Sequence, residues 1–319
     1  MISVVMATYN SMKYIKEQLE SIRRQTIKVD EVIIVDDCST DGTVSFLETY
    51  ISENNLSGWL VYKHKTNLGY IHSFTDALKY CNGDVIILCD HDDIWFENKV
   101  EVIISLFNNN ANMQSLNTGF IQIDSEGKEI SVKLKHNHAN NNLIRRNVSS
   151  HALNKMSYQD VAVYNISPGC TCAISKCLKD LFLIEEHKIP HDWKLNILAA
   201  CFDGLYFLDI PTTKYRIHGA NTIGLGHQTS YKIRKGIVER NLEEKQEAIR
   251  IVSKYGNANN NCLKYYKGVE EIFKLRNSFM NDGRIIIWIR AFYKSLNYGR
   301  LYESVILDLI SRLKSRGTH

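Results

Sequence analysis

The chain has 319 residues, 44% of them hydrophobic and 23% charged, with a formal net charge of +4; that is an ordinary globular balance, sufficient for one large domain and an appendage. No apolar run approaches a bilayer span, since the longest candidate, Ile285-Ile286-Ile287-Trp288-Ile289, is stopped by Arg290, and Met1 runs into Ile2-Ser3-Val4-Val5-Met6, unlike an export signal. The expected location is therefore cytoplasmic, with the eight cysteines as free thiols, and Cys170-Thr171-Cys172 lacks zinc-knuckle spacing.

In chain order, Ile2–Ala7 reads as a strand that ends in Thr8-Tyr9-Asn10, followed by Tyr14, Ile15, Leu19 and Ile22 at helical spacing. Glu31–Val35 is a second strand ending in Asp36-Asp37, after which Thr40-Asp41-Gly42-Thr43 turns into a second helix. Trp59–His64 and Ile71–Tyr80 repeat the strand and helix around Asn67-Leu68-Gly69, and Asp84–Cys89 is a fourth strand ending in Asp90-His91-Asp92-Asp93. This alternation, with near-continuous apolar strands, predicts an α/β fold around a mostly parallel sheet covered by helices. Ligands of such sheets sit beyond the carboxyl ends of the strands, where all four polar clusters fall.

Further on, Lys99–Phe107 reads as a helix and Asn117–Ile123 as a strand, while 133–160 is Asn-, His- and Lys-rich without clear periodicity and is expected to be a mobile substrate loop. Order resumes at Tyr164–Ile174; His191–Phe202 reads as a helix, and Leu205–Leu208 and Thr213–Arg216 as two short strands. From 228 onward the chain is expected to be helical. Charge divides at the same place: residues 1–227 carry 21 Lys and Arg against 26 Asp and Glu, and residues 228–319 carry 18 against 9. The expected organisation is a catalytic domain over 1–227 and a basic helical extension over 228–319.

Asp90, Asp92 and Asp93 are the strongest local signal, because three carboxylates at a strand end repel one another unless a cation offsets them. A hard divalent ion would do so and would neutralise a diphosphate as well. The plainer reading is an acidic turn capping a helix that begins near Ile94. No glycine-rich dinucleotide or ATPase phosphate loop occurs, which favours a nucleotide diphosphate held through a metal.

The motifs together resemble the family 2 glycosyltransferases with the GT-A fold. Thr8-Tyr9-Asn10, Val35-Asp36-Asp37-Cys38-Ser39-Thr40-Asp41-Gly42-Thr43, Asn67-Leu68-Gly69 and Gly83-Asp84 match that family's strand ends. Asp90-His91-Asp92-Asp93-Ile94-Trp95 looks like the Asp-Gln-Asp-Asp-x-Trp of the branch that includes rhamnosyltransferases, with His91 in place of Gln. Gly169-Cys170-Thr171, His191-Asp192-Trp193 and Tyr215-Arg216-Ile217-His218 resemble later motifs of that branch, so the likeness covers about residues 1–225.

The resemblance implies an inverting transfer from a UDP- or dTDP-sugar with a divalent metal, Mn2+ or Mg2+. Thr8, Tyr9 and Asn10 would frame the base, Asp36 or Asp37 would accept its imide hydrogen, and Asn67 and Gly69 would border the nucleotide. Asp92 and His218 would hold the metal, with Asp90 on the ribose or metal shell and Arg216 offsetting phosphate charge. Asp192 would be the general base, and Gly169, Cys170, Thr171, His191 and Trp193 would belong to the acceptor or sugar pocket. On residue type alone, Asp192 reads as a helix cap, His191 and His218 as ordinary packed or surface histidines, and Trp95 and Trp193 as core or sugar platforms.

In the extension, Leu301, Val305, Ile306, Leu309, Ile310 and Leu313 form one helical face among Arg300, Arg312, Lys314 and Arg316. It reads as packing against neighbouring helices or a second subunit, or as an interfacial helix on anionic lipid that would suit a glycan or lipid-linked glycan acceptor. Nucleic acid is not an expected partner. Rival readings are a nucleotidyltransferase, which would want a Gly- and Arg/Lys-bearing loop that Thr8–Lys16 does not provide, and a non-catalytic sugar-binding or assembly subunit of the same fold.

Overall fold

The computed structural model describes residues 1–219, 230–255 and 260–316; the expected boundary at 227/228 lies outside them. Four strands, β1 (Ile2–Thr8), β2 (Glu31–Asp36), β3 (Trp59–Lys63) and β4 (Val85–Cys89), run parallel in the spatial order β3-β2-β1-β4. Their crossovers are α1 (Ile15–Arg23), α2 (Thr43–Glu53) and α3 (Tyr70–Tyr80). Successive side chains of a strand point to opposite faces, and here both faces are apolar. Val5, Ile33, Val35, Ile86 and Leu88 enter one core; Val4, Met6, Val32, Ile34, Ile87 and Cys89 enter the other, with Ile15, Leu19 and Leu47.

Beyond β4 the sheet becomes mixed. β5 (Ile94–Trp95) precedes α4 (Lys99–Asn109), and β6 (Ser115–Ile123) is followed by the short β7 (Glu129–Ile130) and β8 (Leu153–Lys155). After α5 (Tyr158–Val161) and a 3-10 turn at Gly169–Thr171 comes β9 (Cys172–Ser175), then α6 (Lys176–Phe182), α7 (His191–Cys201) and β10 (Leu205–Arg216). β9 lies antiparallel between β4 and β6, β10 runs parallel to β6, and β5 closes the order antiparallel to β10.

Three expectations change here. The two strands expected at 205–208 and 213–216 are one, β10, whose register shifts on either side of Pro211; proline has no N–H to give the ladder and sits at such irregularities. The helix expected near Ile94 is β5, so Asp90–Asp93 caps no helix. The segment 133–160 is not a structureless loop: β8 and α5 lie in it, and asparagines pin the rest. Asn140 donates to Ile166 O and Ser167 Oγ, and Asn141 to Phe120 O. Asn137, Asn140, Asn141 and Asn142 all take positive φ, a conformation asparagine tolerates better than most residues, which accounts for the composition.

The extension consists of α8 (Tyr231–Tyr255), α9 (Asn260–Asp282), α10 (Ile285–Ser295) and α11 (Leu301–Arg316). It shares a core with the sheet: Ala248, Ile251, Val252, Val269, Ile272, Phe273, Leu301 and Val305 pack in the cluster that holds Phe74, Ile174, Trp193 and Phe207. The apolar face expected on α11 is split. Leu301 and Val305 are buried, whereas Ile306, Ile310 and Leu313 are exposed. All eight cysteines are free, and no described helix is long and apolar enough to cross a membrane.

Candidate active site

The site forms where β1, β2 and β4 end. Thr8 and Asp36 are register partners on β1 and β2, and Thr8 Oγ1 donates to Asp36 Oδ2 at 2.8 Å. Asp36 also accepts from Ser39 N (2.8 Å) and Ser39 Oγ (2.6 Å). Asp37 accepts from Leu68 N (2.8 Å) and Gly69 N (2.7 Å) and lies 2.9 Å from His64 Nδ1, whose other nitrogen is 3.1 Å from Asp76. Gly69 is at φ +85°, ψ 159°, a region open essentially to glycine alone, and that backbone aims two successive N–H groups at Asp37. Both carboxylates thus organise the loops beyond β2 and β3, yet Asp36 Oδ1 and Asp37 Oδ2 each have one protein donor and keep a lone pair. Asn10, at φ +49°, ties in Thr40, while Tyr9 (48% exposed) and Asn67 remain open at the rim.

The turn after β4 gathers the acidic residues. Asp92 Oδ2 lies 2.8 Å from His218 Nε2, and the His218 ring lies 5.0 Å from that of Tyr14. Ligand atoms of Asp90, Asp93 and Cys170 all fall within 4.8 Å of one another. Burial, then the charges of Asp93 and Asp92, pushes the Asp90 carboxyl well above the usual range. Burial, then Asp92, pushes Asp93 to about 7, and among the described residues Asp93 Oδ2 has no hydrogen-bond partner. A cation would relieve both, which is the condition a metal site meets. Burial raises the Cys170 thiol far above its ordinary pKa, so it suits a hard metal poorly and packs against the carboxyls instead.

Two basic side chains brace this turn. Lys99, fully buried on the first turn of α4, donates to Cys170 O (2.6 Å) and Thr213 Oγ1 (2.9 Å), over the ring of the buried Trp95. Arg216 donates from N to Asp93 Oδ1 and from Nε to Asp92 O, and Nη2 meets Glu17 at 2.5 Å. The expected role of Arg216 on phosphate changes accordingly. Its guanidinium is buried and engaged by the protein, so it shapes the Asp92–Asp93 turn.

Across from these acids is the start of α7. Asp192 is half-buried; Oδ2 accepts from Asn165 Nδ2 at 2.8 Å and Oδ1 from Trp193 N at 2.9 Å. Burial outweighs these bonds and raises its carboxyl to about 6. Its charge in turn helps raise Asp90. Tyr70 borders both: burial first, then Asp192 and Glu244, with a smaller push from Asp90, lifts its phenol to about 12. The helix is capped by Pro190, so Asp192 is not the cap. His191 stacks on Phe74 at 3.9 Å, and burial holds it down to about 3, a packed neutral ring rather than a base. A Cβ on Gly169 would meet His191 Nε2 at 3.1 Å, so glycine lets the 3-10 turn approach α7. Thr171 is buried, its hydroxyl bonded to Pro168 O. Trp193 is buried and donates to Val161 O at 2.7 Å, which makes it core and removes it as a sugar platform.

The sequence pattern described as Glycosyl transferase family 2 matches residues 3–164, half of the chain and the segment that supplies three of these strand ends. The chain belongs to glycosyl transferase family 2. The dTDP-rhamnosyl transferase RfbG of Shigella flexneri is 30% identical over 264 residues, covering 78% of this chain and 83% of that protein. The putative glycosyltransferase EpsE of Bacillus subtilis is 32% identical over 126 residues, 40% of this chain and 45% of its own length. Among solved structures, S. aureus TarS 1-349 in complex with UDP-GlcNAc superposes with a TM-score of 0.59 at 18% identity, covering 99% of this chain and 92% of that one. A mannosyltransferase, PcManGT from Pyrobaculum calidifontis in complex with GDP-Man and Mn2+, gives 0.52 at 14% identity over 98% and 86%. The fold is the GT-A fold of these structures, with C-terminal helices, and the chain is a glycosyltransferase of this family.

Within the family 2 site, the fold gathers Asp90, Asp92 and His218 at the β4 turn, with Asp192 facing them. Lys99, Asn165, Tyr70 and His64 were not singled out from sequence. Lys99 had a signal, a charged residue at the inward helical spacing of Val100 and Ile103. Asn165 had none, because its partner is 27 residues away.

Proposed function

We propose that this enzyme transfers a sugar from a UDP- or dTDP-sugar to a hydroxyl of a surface polysaccharide or lipid-linked glycan, with inversion at the anomeric carbon. The observation that carries the reading is Asp192: a half-buried carboxyl raised to about 6, fixed by Asn165 and Trp193 N, and near enough to Asp90 to affect it. A general base works best with a pKa near the working pH. Asp192 takes the proton of the acceptor hydroxyl as its oxygen attacks the anomeric carbon from the face opposite the diphosphate. The bond from that carbon to the diphosphate oxygen breaks, and the nucleoside diphosphate leaves with the electron pair.

On the donor side, Thr8, Tyr9 and Asn10 frame the base, the free lone pair of Asp36 or Asp37 accepts its imide hydrogen, and Asn67 and Gly69 border it. Asp92 and His218 would hold a divalent ion, with Asp90 beside them; their oxygen and imidazole donors suit Mn2+ or Mg2+. When bound, such an ion supplies the charge that stabilises the leaving diphosphate. Arg216 and Lys99 keep the turn in place. On the acceptor side, Gly169, Cys170, Thr171 and His191 form a packed wall that sets the position of Asp192. A cytoplasmic place at the inner face of a membrane, or a homo-oligomer, would cover the exposed Ile285, Ile286 and Tyr293 of α10 and Ile306, Ile310 and Leu313 of α11.

The test is nucleoside diphosphate release from a panel of UDP- and dTDP-sugars, in manganese and in chelator. Release that needs manganese and acceptor, and that collapses in Asp192→Asn, supports the reading. Equal release from Asp92→Asn, Asp192→Asn and the wild type, or none from any donor, rejects it.

A further inference from the structure

On the other side of Asn165 is an unusual concentration of positive charge. Tyr164, its chain neighbour, has the Arg145 guanidinium over its ring at 4.1 Å and Lys245 Nζ 5.6 Å from the same ring centre. Arg276 belongs to the same group: it lies 4.5 Å from the Phe273 ring, which Lys245 Nζ approaches to 5.2 Å. Burial opposes ionisation of Tyr164, yet Arg276 and Arg145 outweigh it and lower the phenol's pKa. The residues come from four separate places: the segment before β8, the segment after α5, α8 and α9.

The negative charge here is too small. Asp308 on α11 is fully buried and is already claimed by Arg276 Nε (2.7 Å) and Arg234 Nε (2.8 Å). Glu244 is half-buried beside Lys245 but makes no ion pair with it among the described residues. What is left over is specific. Lys245 is 1% exposed and Arg276 2% exposed, and among the described residues neither Lys245 Nζ nor Arg276 Nη1 has a hydrogen-bond partner. Arg145 is half-buried and, among the described residues, has the tyrosine ring as a contact but no ion pair or hydrogen bond. Ring contacts stabilise a cation by about 0.5–2 kcal/mol, but they do not satisfy the three donors of an ammonium group, and a buried charge without a partner is costly. Burial, reinforced by Arg276 and opposed by Glu244, holds Lys245 down to about 7.

We propose that Arg145, Lys245 and Arg276 form a phosphate-binding site beside the general base, taking the phosphate group of the acceptor. This rests on the function proposed above and narrows its acceptor to one that carries phosphate near the reacting hydroxyl. Arginine and lysine donors of this kind match phosphate oxygens. The position supports it, because Asn165 next to Tyr164 holds Asp192, and Lys245 lies 4.0 Å from the ring of Trp193, the residue after Asp192. Tyr164 and Arg145 are half-buried, and Lys245 and Arg276 are buried behind them.

The experiment uses the full chain in chelator, titrated with inorganic phosphate and followed by calorimetry and melting temperature. Phosphate should bind and raise the melting temperature of the wild type and of Asp92→Asn alike. Arg145→Gln, at a half-exposed position that tolerates exchange, and Lys245→Met should each weaken phosphate binding about tenfold or more. No phosphate binding by the wild type, loss in Asp92→Asn only, or unchanged binding in both cation variants overturns the proposal. A second arm separates the sources of the phosphate: transfer to a sugar phosphate against the corresponding neutral glycoside. A rise in KM of Arg145→Gln for the phosphorylated acceptor alone supports an acceptor-borne group. Phosphate binding with no such difference supports the site with a free anion as its ligand. No transfer by the wild type to either acceptor would instead count against the glycosyltransfer reading.

Discussion

On one side of α7 lies a turn with three carboxylates, Asp90, Asp92 and Asp93, answered among the described residues by His218, Arg216 and the charge of Lys99. On the other side lie Arg145, Lys245 and Arg276, with Asp308 already shared between Arg276 and Arg234. Each region contains buried atoms that have no hydrogen-bond partner among the described residues: Asp93 Oδ2 in the first, Lys245 Nζ and Arg276 Nη1 in the second. The signs are opposite. Proteins keep such groups where a ligand of the other sign completes them, so the acids fit a cation with its diphosphate and the bases fit an anion. Asp192 stands between, bonded to neither set and raised mainly by its own burial.

The comparison is broken most decisively at Asp192 itself. Asp192→Asn keeps size and the contact to Trp193 N but cannot accept the acceptor's proton. Turnover should drop by about 10² or more, about 3 kcal/mol at the barrier, with donor affinity and melting temperature near wild type. Early melting with proportional loss of donor binding would make the residue structural; near-normal turnover would place the base elsewhere. His191 is then a poor substitute because it is buried and uncharged, and Asp160 is engaged in the capping box with Ser157 and with Arg146.

Next comes the acidic side alone. Calorimetry of the nucleoside diphosphate should show tight binding in manganese and weak binding in chelator, and Asp92→Asn should erase the difference, losing about tenfold or more in metal-dependent affinity. Equal affinity in manganese and chelator for the wild type would remove Asp92 and His218 from metal binding.

How these two regions were written in the sequence differs as well. The acidic one lies on consecutive residues at strand ends, where a four-strand alternation and a run of aspartates show both fold and site. The parallel half of the sheet was legible because its strands are buried on both faces and read as unbroken apolar runs. The mixed half was legible only in part: β6 and the two ends of β10 read as strands, whereas β9 is only four residues long and β5 two, too short for a period to register. The basic region was hidden for another reason. Arg145, Tyr164, Lys245 and Arg276 lie up to 131 residues apart, and local pattern contains no term for such a meeting. Lys245 even sits amid the solvated charges of α8, where Lys looks ordinary.

A milder effect tests the basic side through stability. Lys245→Met removes a buried charge and keeps most of the volume, so without phosphate the variant should be more stable than wild type by about 1 kcal/mol. The folded-state pKa of Lys245 is depressed from 10.5 to about 7, so the charged form burdens the fold increasingly as pH falls. The gain should be full below about pH 7 and vanish above the ordinary lysine range. A variant less stable at pH 6 than wild type would mean that the ammonium is already satisfied.

The exposed stripes of α10 and α11 lie outside the opposition of acid and base and should give a smaller effect. If they rest on lipid, vesicles should retain the protein only when they contain anionic lipid, and less so as salt rises. A dimer in solution that ignores vesicles at low salt would assign the stripes to a subunit contact.

The smallest effect expected is on the pH profile of Asn165→Ala, and it probes the link between the two regions. Asn165 donates to Asp192 and accepts from Asn196 Nδ2 at 2.8 Å, which in turn meets Asn117 and Ser115 inside the sheet. Its bond favours the ionised carboxylate, the last of the three that oppose burial, so removing it raises the pKa. Turnover of the wild type should fall as pH drops through about 6; in Asn165→Ala that limb should move to higher pH by less than about one unit. Well above the limb the two enzymes should turn over at similar rates, because Asp192 is then ionised in both. A general loss of packing would lower the rate at every pH and leave the limb where it was. A limb that moves downward would mean that the amide oxygen, not the amide nitrogen, faces Asp192.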